Sequence, residues 1–443
     1  MMIVNPREIT SSRGDRVRDG AEAWLYYEGK QRRPGGARNN ERWRPPNHLA
    51  ALVDTIVDHL GRHTVSWGDD ELAAQLEERH RVAMDENDAD LLDSTTETSC
   101  AVTGDGAFKV TWDDERAIVR IAGVDASRLW VATDPNDPAR AVAFAHQYTV
   151  AAEHLPVMFG SRIGVPLSGR DEPITEYWSR EAVEVWVGQE LADRSANPYG
   201  GLLPYVHFPN VRRSTSFWGV GDVAPIRYQQ DRISEQAYQD DLVARVQGAI
   251  IVIENADGSQ DLSIQPGTIW ALPADAKAYV LEILSGPTAT ARLERMRELV
   301  NEMRSLARVP AIASGGLQDQ QASQASGLSL QLQFGPLLRL VARKRLTRSV
   351  AYRERARLIA ALGSQFAGAP DAGTRRPVID WQDAIPADRT GELANAIQEL
   401  ALGRSRDAIL RSLGVEEPLL ELAARAVEDA ALAPKTNTVG GAP

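Results

Sequence analysis

The sequence predicts an α+β fold, and three patterns carry that expectation. Helical periodicity dominates residues 1–90 and the last third of the chain, β-branched and aromatic runs separated by turn residues fill the middle, and a short strand-rich stretch stands between two further helical segments. The composition is that of a folded protein. With 443 residues, 43% hydrophobic and 25% charged, the chain has material for about three domains, which excludes a disulfide scaffold and a wholly disordered chain.

Taken in order, His48–Leu60 sets Leu49, Leu52, Val53, Ile56 and Leu60 at three- and four-residue steps, so a helix with one apolar face is expected, and Asp69–Met84 is a second, opened by an Asp-rich cap. The Gly, Arg, Asn and Pro residues between Gly29 and Pro46 mark an irregular connector. From Thr96 the pattern turns to strands. Ser99–Val102 and Ala107–Trp112 are expected to flank a hairpin turn at Gly104-Asp105-Gly106, and Arg116–Ala122, Arg128–Ala132, Ala141–Tyr148, Ile174–Trp178 and Ala182–Val187 continue the series. This mixed region closes with Leu203–Asn210 and Ser216–Val223, where glycines and aromatics crowd into a turn.

Ile226–Gln247 then reads as helix, Gly248–Leu284 as strand-like, and Thr288–Ala307 as helix again, so a small β module stands between two helices. In the second of these, Leu293, Met296, Val300, Met303 and Ala307 form a narrow apolar seam suited to a partner helix, while Glu294, Glu298 and Glu302 line up four residues apart. Residues 312–327 are small and Gln-rich, a linker of unusual length for a folded chain. Helix resumes at Leu328 and, interrupted at Gly335-Pro336, runs to about Leu362. It carries Arg339, Arg343, Lys344, Arg345, Arg348, Arg353, Arg355 and Arg357 against only Glu354. A loop at Ala367–Arg376, a strand at Val378–Trp381, two or three amphipathic helices in Thr390–Leu432 and a disordered tail from Ala433 complete the expectation.

The charges limit the chemistry. Lys+Arg 49 against Asp+Glu 61 leaves −12, the wrong sign for a protein that coats nucleic acid, so any DNA contact must be local or weak. Cys100, the single cysteine, cannot form an intrachain disulfide, a multi-thiolate zinc site or a CxxC pair, which fits a reducing compartment; placed in an alternating strand, it reads as a buried structural thiol. Met1–Ile9 has no apolar core of a signal peptide, and the densest apolar patch, Ala249–Ile253, is strand-sized, so a soluble intracellular product without membrane partner is expected. His59 and His63 have the spacing of two metal ligands on one helix face, but no HExxH glutamate lies between them, and a surface pair is the preferred reading. Gly219-Val220-Gly221-Asp222 is not followed by GK[ST] and reads as a turn and not a phosphate loop. The cations of the basic helix spread over several sides, among Leu340, Val341, Leu346, Val350, Leu358 and Ile359, so they need counter-charges and do not form a single DNA-binding stripe.

In this order the motifs resemble a known family, the portal proteins of tailed bacteriophages, in particular the siphophage type. The resemblance runs from YYEG (Tyr26–Gly29) to the C-terminal helices: TGDGAFKVTWDDE resembles the wing hairpin, and LPYVHFPN with FWGVGDV the approach to the first stem helix. The helix, β module and second helix resemble stem, clip and stem; VPAIASGG through SGLSLQLQFGPLL the tunnel loop and long wing helix; and VIDWQDAIPAD the strand leading to the crown. No single string is diagnostic; the serial order carries the likeness.

The resemblance implies a portal fold with wing (1–222), stem (223–247 and 286–308), clip (248–285), tunnel loop (309–327), long wing helix and return strand (328–385) and helical crown (386–433), followed by a disordered tail (434–443). It implies a ring of twelve subunits at one capsid vertex, around a channel for packaging and ejecting double-stranded DNA, with no enzymatic activity and no cofactor or metal. Its partners would be the major capsid and scaffolding proteins, the terminase large subunit and then a head-completion or adaptor protein. It would reside in the virion, and in the host cytoplasm during assembly. Channel contacts would come from Ser314, Gly315, Gly316, Gln318, Gln320, Gln321, Ser323 and Gln324, with Glu294, Glu298 and Glu302 as an acidic lining. Ile251, Ile253, Leu262, Ile264, Ile269 and Trp270 would form the clip contact, and Met296, Val300, Met303, Arg343 and Arg345 the contact between subunits. Two other classes compete, an intracellular α+β enzyme and a monomeric adaptor. The seven scattered histidines, without a nucleophile-base signature or P-loop, weigh against the enzyme.

Overall fold

The computed structural model describes residues 14–31, 45–151, 153–154, 171–247, 251–254, 277–280, 286–314, 327–384, 396–412 and 422–425. The chain divides into two units, Met1–Ser323 with Gln333–Ala384, and Gln324–Leu332 with Ile385–Pro443. In the first, helix α1 (Gly14–Tyr27) is followed by α2 (His48–Asp58), whose apolar face Leu49, Leu52, Val53 and Ile56 is buried as its spacing requires. Asn47 caps α2 by accepting from the Ala50 amide at 3.2 Å. Strand β1 (His63–Ser66) leads to α3 (Glu71–Asp85), capped by Asp70, which accepts from the Ala73 amide at 2.8 Å.

The expected strand at Ser99–Val102 is helix: α4 spans Ala89–Thr103. Its buried residues Thr96, Glu97, Cys100 and Ala101 recur at helical spacing, and the hydroxyls of Thr95, Thr98 and Thr103 each bond a carbonyl four residues back. The β preference of this Ser/Thr run is therefore overridden by packing, with its hydroxyls satisfied inside the helix. Gly104, at φ +105°, closes α4, and strand β2 (Asp105–Asp113) begins at once, so Gly104-Asp105-Gly106 is a helix-to-strand turn. The hairpin lies further on, between β2 and β3 (Ile118–Val124), where Asp113 accepts from the amides of Glu115 and Arg116.

Strands β4 (Leu129–Asp134), β5 (Asp137–Val150), β6 (Glu172–Ser179), β7 (Ala182–Val187) and β8 (Glu190–Ala196) form an antiparallel meander in that order. Sequence reading misses β8, a mostly polar edge strand whose exposed face has no alternation to betray it. Strand β9 (Tyr205–Pro209) completes a sheet of order β3-β2-β9. Helix α5 (Arg227–Gln247), strands β10 (Ile251–Glu254) and β11 (Lys277–Val280), and helix α6 (Gly286–Ala307) follow, with β10 and β11 paired antiparallel, Ile251 opposite Val280.

After a short 3₁₀ turn at Ala311–Ser314, α7 runs from Gly327 to Ala367 without the interruption expected at Gly335-Pro336. A proline removes one backbone donor, and the buried Leu337, Leu340 and Val341 just beyond it hold the helix against the core. Strand β12 (Val378–Trp381) pairs antiparallel with β1. In the second unit residues 396–401, helix α8 (Arg406–Ser412) and residues 422–425 are helical, in line with the amphipathic helices expected there.

Two cores result. One gathers Phe108, Phe208 and Tyr352 between the β2 sheet and α7; the other gathers Leu49, Leu52 and Ile56 of α2 with Leu299, Met303 and Ala307 of α6. Between them the chain passes a contact of backbone on backbone. A Cβ on Gly219 would meet the Gly104 carbonyl, one on Gly221 the Val102 carbonyl, and one on Gly104 the Gly221 amide at 2.8 Å. That is why glycines recur here: residues 219–221 lie directly on the end of α4. Overpacking costs about 1–3 kcal/mol, and here the obstacle is backbone that cannot rotate away. Gly221→Ala is therefore expected to lower stability by about 3 kcal/mol, read as a reduced denaturant midpoint; a shift under about 0.5 kcal/mol would contradict the contact.

Candidate functional site

Lys344, Arg348 and Arg355 share one face of α7 and are 0% exposed. An ammonium or guanidinium in that position must meet an anion, because unpaired burial of charge costs several kcal/mol. Each does. Lys344 pairs with Asp222, Arg348 with Glu97 and Arg355 with Asp93. Arg348 is the most fully held: its guanidinium contacts Glu97 at 2.9–3.2 Å and donates at 2.9 Å to both the carbonyl and the side-chain oxygen of Asn210. Tyr352 donates to the same Glu97 at 2.9 Å. Arg355 lies 4.6 Å from the Phe108 ring centre and 4.7 Å from that of Tyr352, a cation between two π faces.

These pairs tie two elements to α7. Asp93 and Glu97 stand on α4; Asp222 stands in the turn before α5, where its amide donates to the Ala101 carbonyl at 2.7 Å. Burial pulls the Lys344 ammonium below its ordinary value, and Asp222 pulls it back. Cys100, fully buried beside Arg348, has its thiol pushed up by burial; it is the structural thiol expected, though on a helix and not on a strand. His63 and His80 are pushed down to about 3, first by burial and then by the Arg355 guanidinium, so both are neutral inside the fold. His63 stacks on Tyr352 at 4.1 Å, while His59 bonds the Thr55 carbonyl at 2.7 Å; the two do not share a helix, since His63 stands on β1, and burial of His63 corrects the expected surface pair. Among the described residues no group of three or more potential metal ligands occurs.

The counter-charges of Lys344, Arg348 and Arg355, which the ring implied by the resemblance would allow on another subunit, are thus the chain's own. Arg345 donates to the Leu60 and Gln382 carbonyls at 2.7–2.9 Å and lies 5.1 Å from the Trp381 ring centre, and Arg353 donates to the Pro377 carbonyl at 3.0 Å. Arg343 is exposed. The carboxylates Asp93, Glu97 and Asp222 escape sequence reading because each lies more than 100 residues from its cation. The signal was a helix with eight cations and one acid, which demanded anions without saying whose.

The α5–α6 pair is joined by an ion pair between Arg292 and Asp240. Gln230 of α5 is fully buried and binds the chain entering α2, accepting from the Leu49 amide at 3.3 Å and donating to the Pro46 carbonyl at 2.7 Å. Along α6 the apolar seam divides: Met303 is fully buried in the chain's own core and offers a neighbour no surface, Met296 and Val300 are half-buried, and Leu293 is exposed. Leu299, not counted in the seam, is buried with Met303. Glu294, Glu298 and Glu302 are all exposed, and Glu298 pairs with Arg295 at 2.9 Å. Ile251 and Ile253 lie on β10, whereas Leu262, Ile264, Ile269 and Trp270 lie outside the described residues. Ser314 ends the 3₁₀ turn; Gly315, Gly316, Gln318, Gln320, Gln321, Ser323 and Gln324 are also outside the described residues.

A family model described as phage portal protein, SPP1 Gp6-like, matches residues 21–434. Among solved structures, a chain of the "Neck of empty GTA particle computed with C6 symmetry" is similar, with a TM-score of 0.50 at 12% identity over 90% of this chain and 94% of that one, a likeness of fold. No curated protein matches.

Removing one partner of a buried pair costs about 3–5 kcal/mol, while replacing both by apolar groups is often neutral. Arg348→Met is expected to lose about that much in chemical denaturation, and Arg348→Met with Glu97→Leu to regain most of it; additive losses would contradict the pairing. The histidines add a pH dependence. Their folded values near 3 lie below the ordinary 6.5, so between those limits the unfolded chain binds more protons. Stability therefore falls as pH drops from 6.5 toward 3, by about 1.4 kcal/mol per pH unit for each histidine. His63→Phe with His80→Leu should flatten that decline relative to the parent chain; an unchanged slope would contradict it.

Proposed function

Because the chain belongs to the family of SPP1 Gp6-like phage portal proteins, we propose that it assembles a closed ring at one capsid vertex and forms the channel through which double-stranded DNA is packaged and ejected. The family is structural and not catalytic. One observation carries the reading beyond family membership: a paired β10–β11 stands between two helices that contact each other, the order stem, clip, stem. In this proposal 223–247 and 286–308 are stem, 248–285 is the clip that receives terminase and later an adaptor, 309–327 is the tunnel loop, 1–222 with 328–385 form the wing and 386–433 the crown. Capsid and scaffolding proteins would meet the ring during assembly in the host cytoplasm, and the ring would remain in the virion. Twelve copies is the number we propose.

A channel for DNA must not hold it, since each phosphate neutralised by Lys or Arg adds affinity and slows passage. The α6 surface supports such a lining in a qualified way. Arg292 is turned to Asp240 and Arg295 to Glu298, which leaves Glu294 and Glu302 as exposed carboxylates without an ion pair among the described residues. Exposed Arg297 stands among them, so the surface is mixed and not purely acidic.

The purified full chain is expected to form rings in negative stain, with a native mass near twelve copies; a monomer at all concentrations would overturn the reading. Glu294→Lys with Glu298→Lys and Glu302→Lys should leave rings intact and slow DNA packaging, and an unchanged packaging rate would remove these residues from the lumen.

A further inference from the structure

On α7 the face opposite the buried cations has an unusual character. Leu346 and Val350 are 70% and 60% exposed, and they border a recess of about 380 Å³ whose other walls include Phe217, Val211, Arg212 and Arg343. At about 100° per residue, Arg343, Leu346 and Val350 fall within about 60° of one another and point away from Lys344, Arg348 and Arg355. Arg212 and Arg343 are exposed, with no carboxylate partner among the described residues. An apolar floor with a cationic rim suits an apolar side chain flanked by acids.

The chain itself carries such a group. Leu91, in the first turn of α4, is 67% exposed, and Glu86 and Asp88, five and three residues before it, are exposed and outside any ion pair among the described residues. Asp93 and Glu97 turn α4 toward α7, and by the same helical arithmetic Leu91 lies about 160° from Asp93 and about 120° from Glu97, on the far side. Knob and recess thus lie on opposite sides of the α4–α7 pair, so one copy cannot fill its own recess. We propose that the recess receives Leu91 of a second copy of this chain, with Glu86 and Asp88 of that copy against Arg212 and Arg343. Each copy offers one knob and one recess, a head-to-tail contact of the kind that closes rings. Copies of net charge −12 repel at a distance, so a local patch of opposite charge is what such an approach needs.

This inference rests on the ring reading above, and the test separates the two. Full-length chains carrying Arg212→Glu with Arg343→Glu, or Glu86→Arg with Asp88→Arg, are compared by native mass with the parent and with a chain carrying all four changes. Loss of rings in each double variant and their return in the fourfold variant are expected. Parent rings with unaffected double variants, or rings lost and not restored, would overturn the recess while leaving the ring reading standing. A parent chain that forms no rings would overturn both. As a second measurement that needs no charge change, Leu91→Cys chains mixed with Leu346→Cys chains under oxidation should give a disulfide-linked pair that neither gives alone; absence of the cross-link overturns the contact.

Discussion

Three cations without access to water on one face of one helix are the constraint on which the rest of this structure depends. Each of Lys344, Arg348 and Arg355 must find its anion inside the protein, and the three anions fix what can lie against α7. Apolar packing alone tolerates a slipped register. Paired charges do not, because a slip of one turn would leave a cation unmatched in the core. The net contribution of such pairs to stability is small once desolvation is counted, so we read them as setting geometry.

That geometry reaches the first long helix after the sheets. Asp222 sits where residues 219–221 cross the end of α4, backbone on backbone, five residues before α5 starts. The glycines permit the approach and Lys344 holds the turn from the other side. An anchor at this place joins the α4–α7 core to the α5–α6 helix pair, the segment proposed above as the stem.

Much of the fold was legible in the sequence, and the failures have physical causes. The amphipathic face of α2, the cap of α3, the β5 to β7 strands and the helix, β, helix order were readable because periodicity and caps are local. Ser99–Val102 reads as strand because Thr96, Thr98, Val102 and Thr103 in and around it are β-branched, whereas the burial of Glu97 under Arg348 decides the matter from about 250 residues away. Pro336 reads as a break because proline removes a backbone donor, whereas the helix continues through it with Leu337, Leu340 and Val341 buried in a core whose other members are distant in sequence. The basic helix was recognised as needing anions, but Asp93, Glu97 and Asp222 carry no local mark of their role. Met303 failed as a surface residue for the same reason: an apolar seam does not say which partner covers it.

The central claim is that the buried charges hold three elements in one register, and native-state hydrogen exchange on Lys344→Met tests it most directly. The account predicts faster exchange in α7 around the substitution and also in residues 219–230 and the end of α4, which share no sequence neighbourhood with it. Faster exchange confined to α7, with 219–230 as protected as in the parent chain, would contradict it.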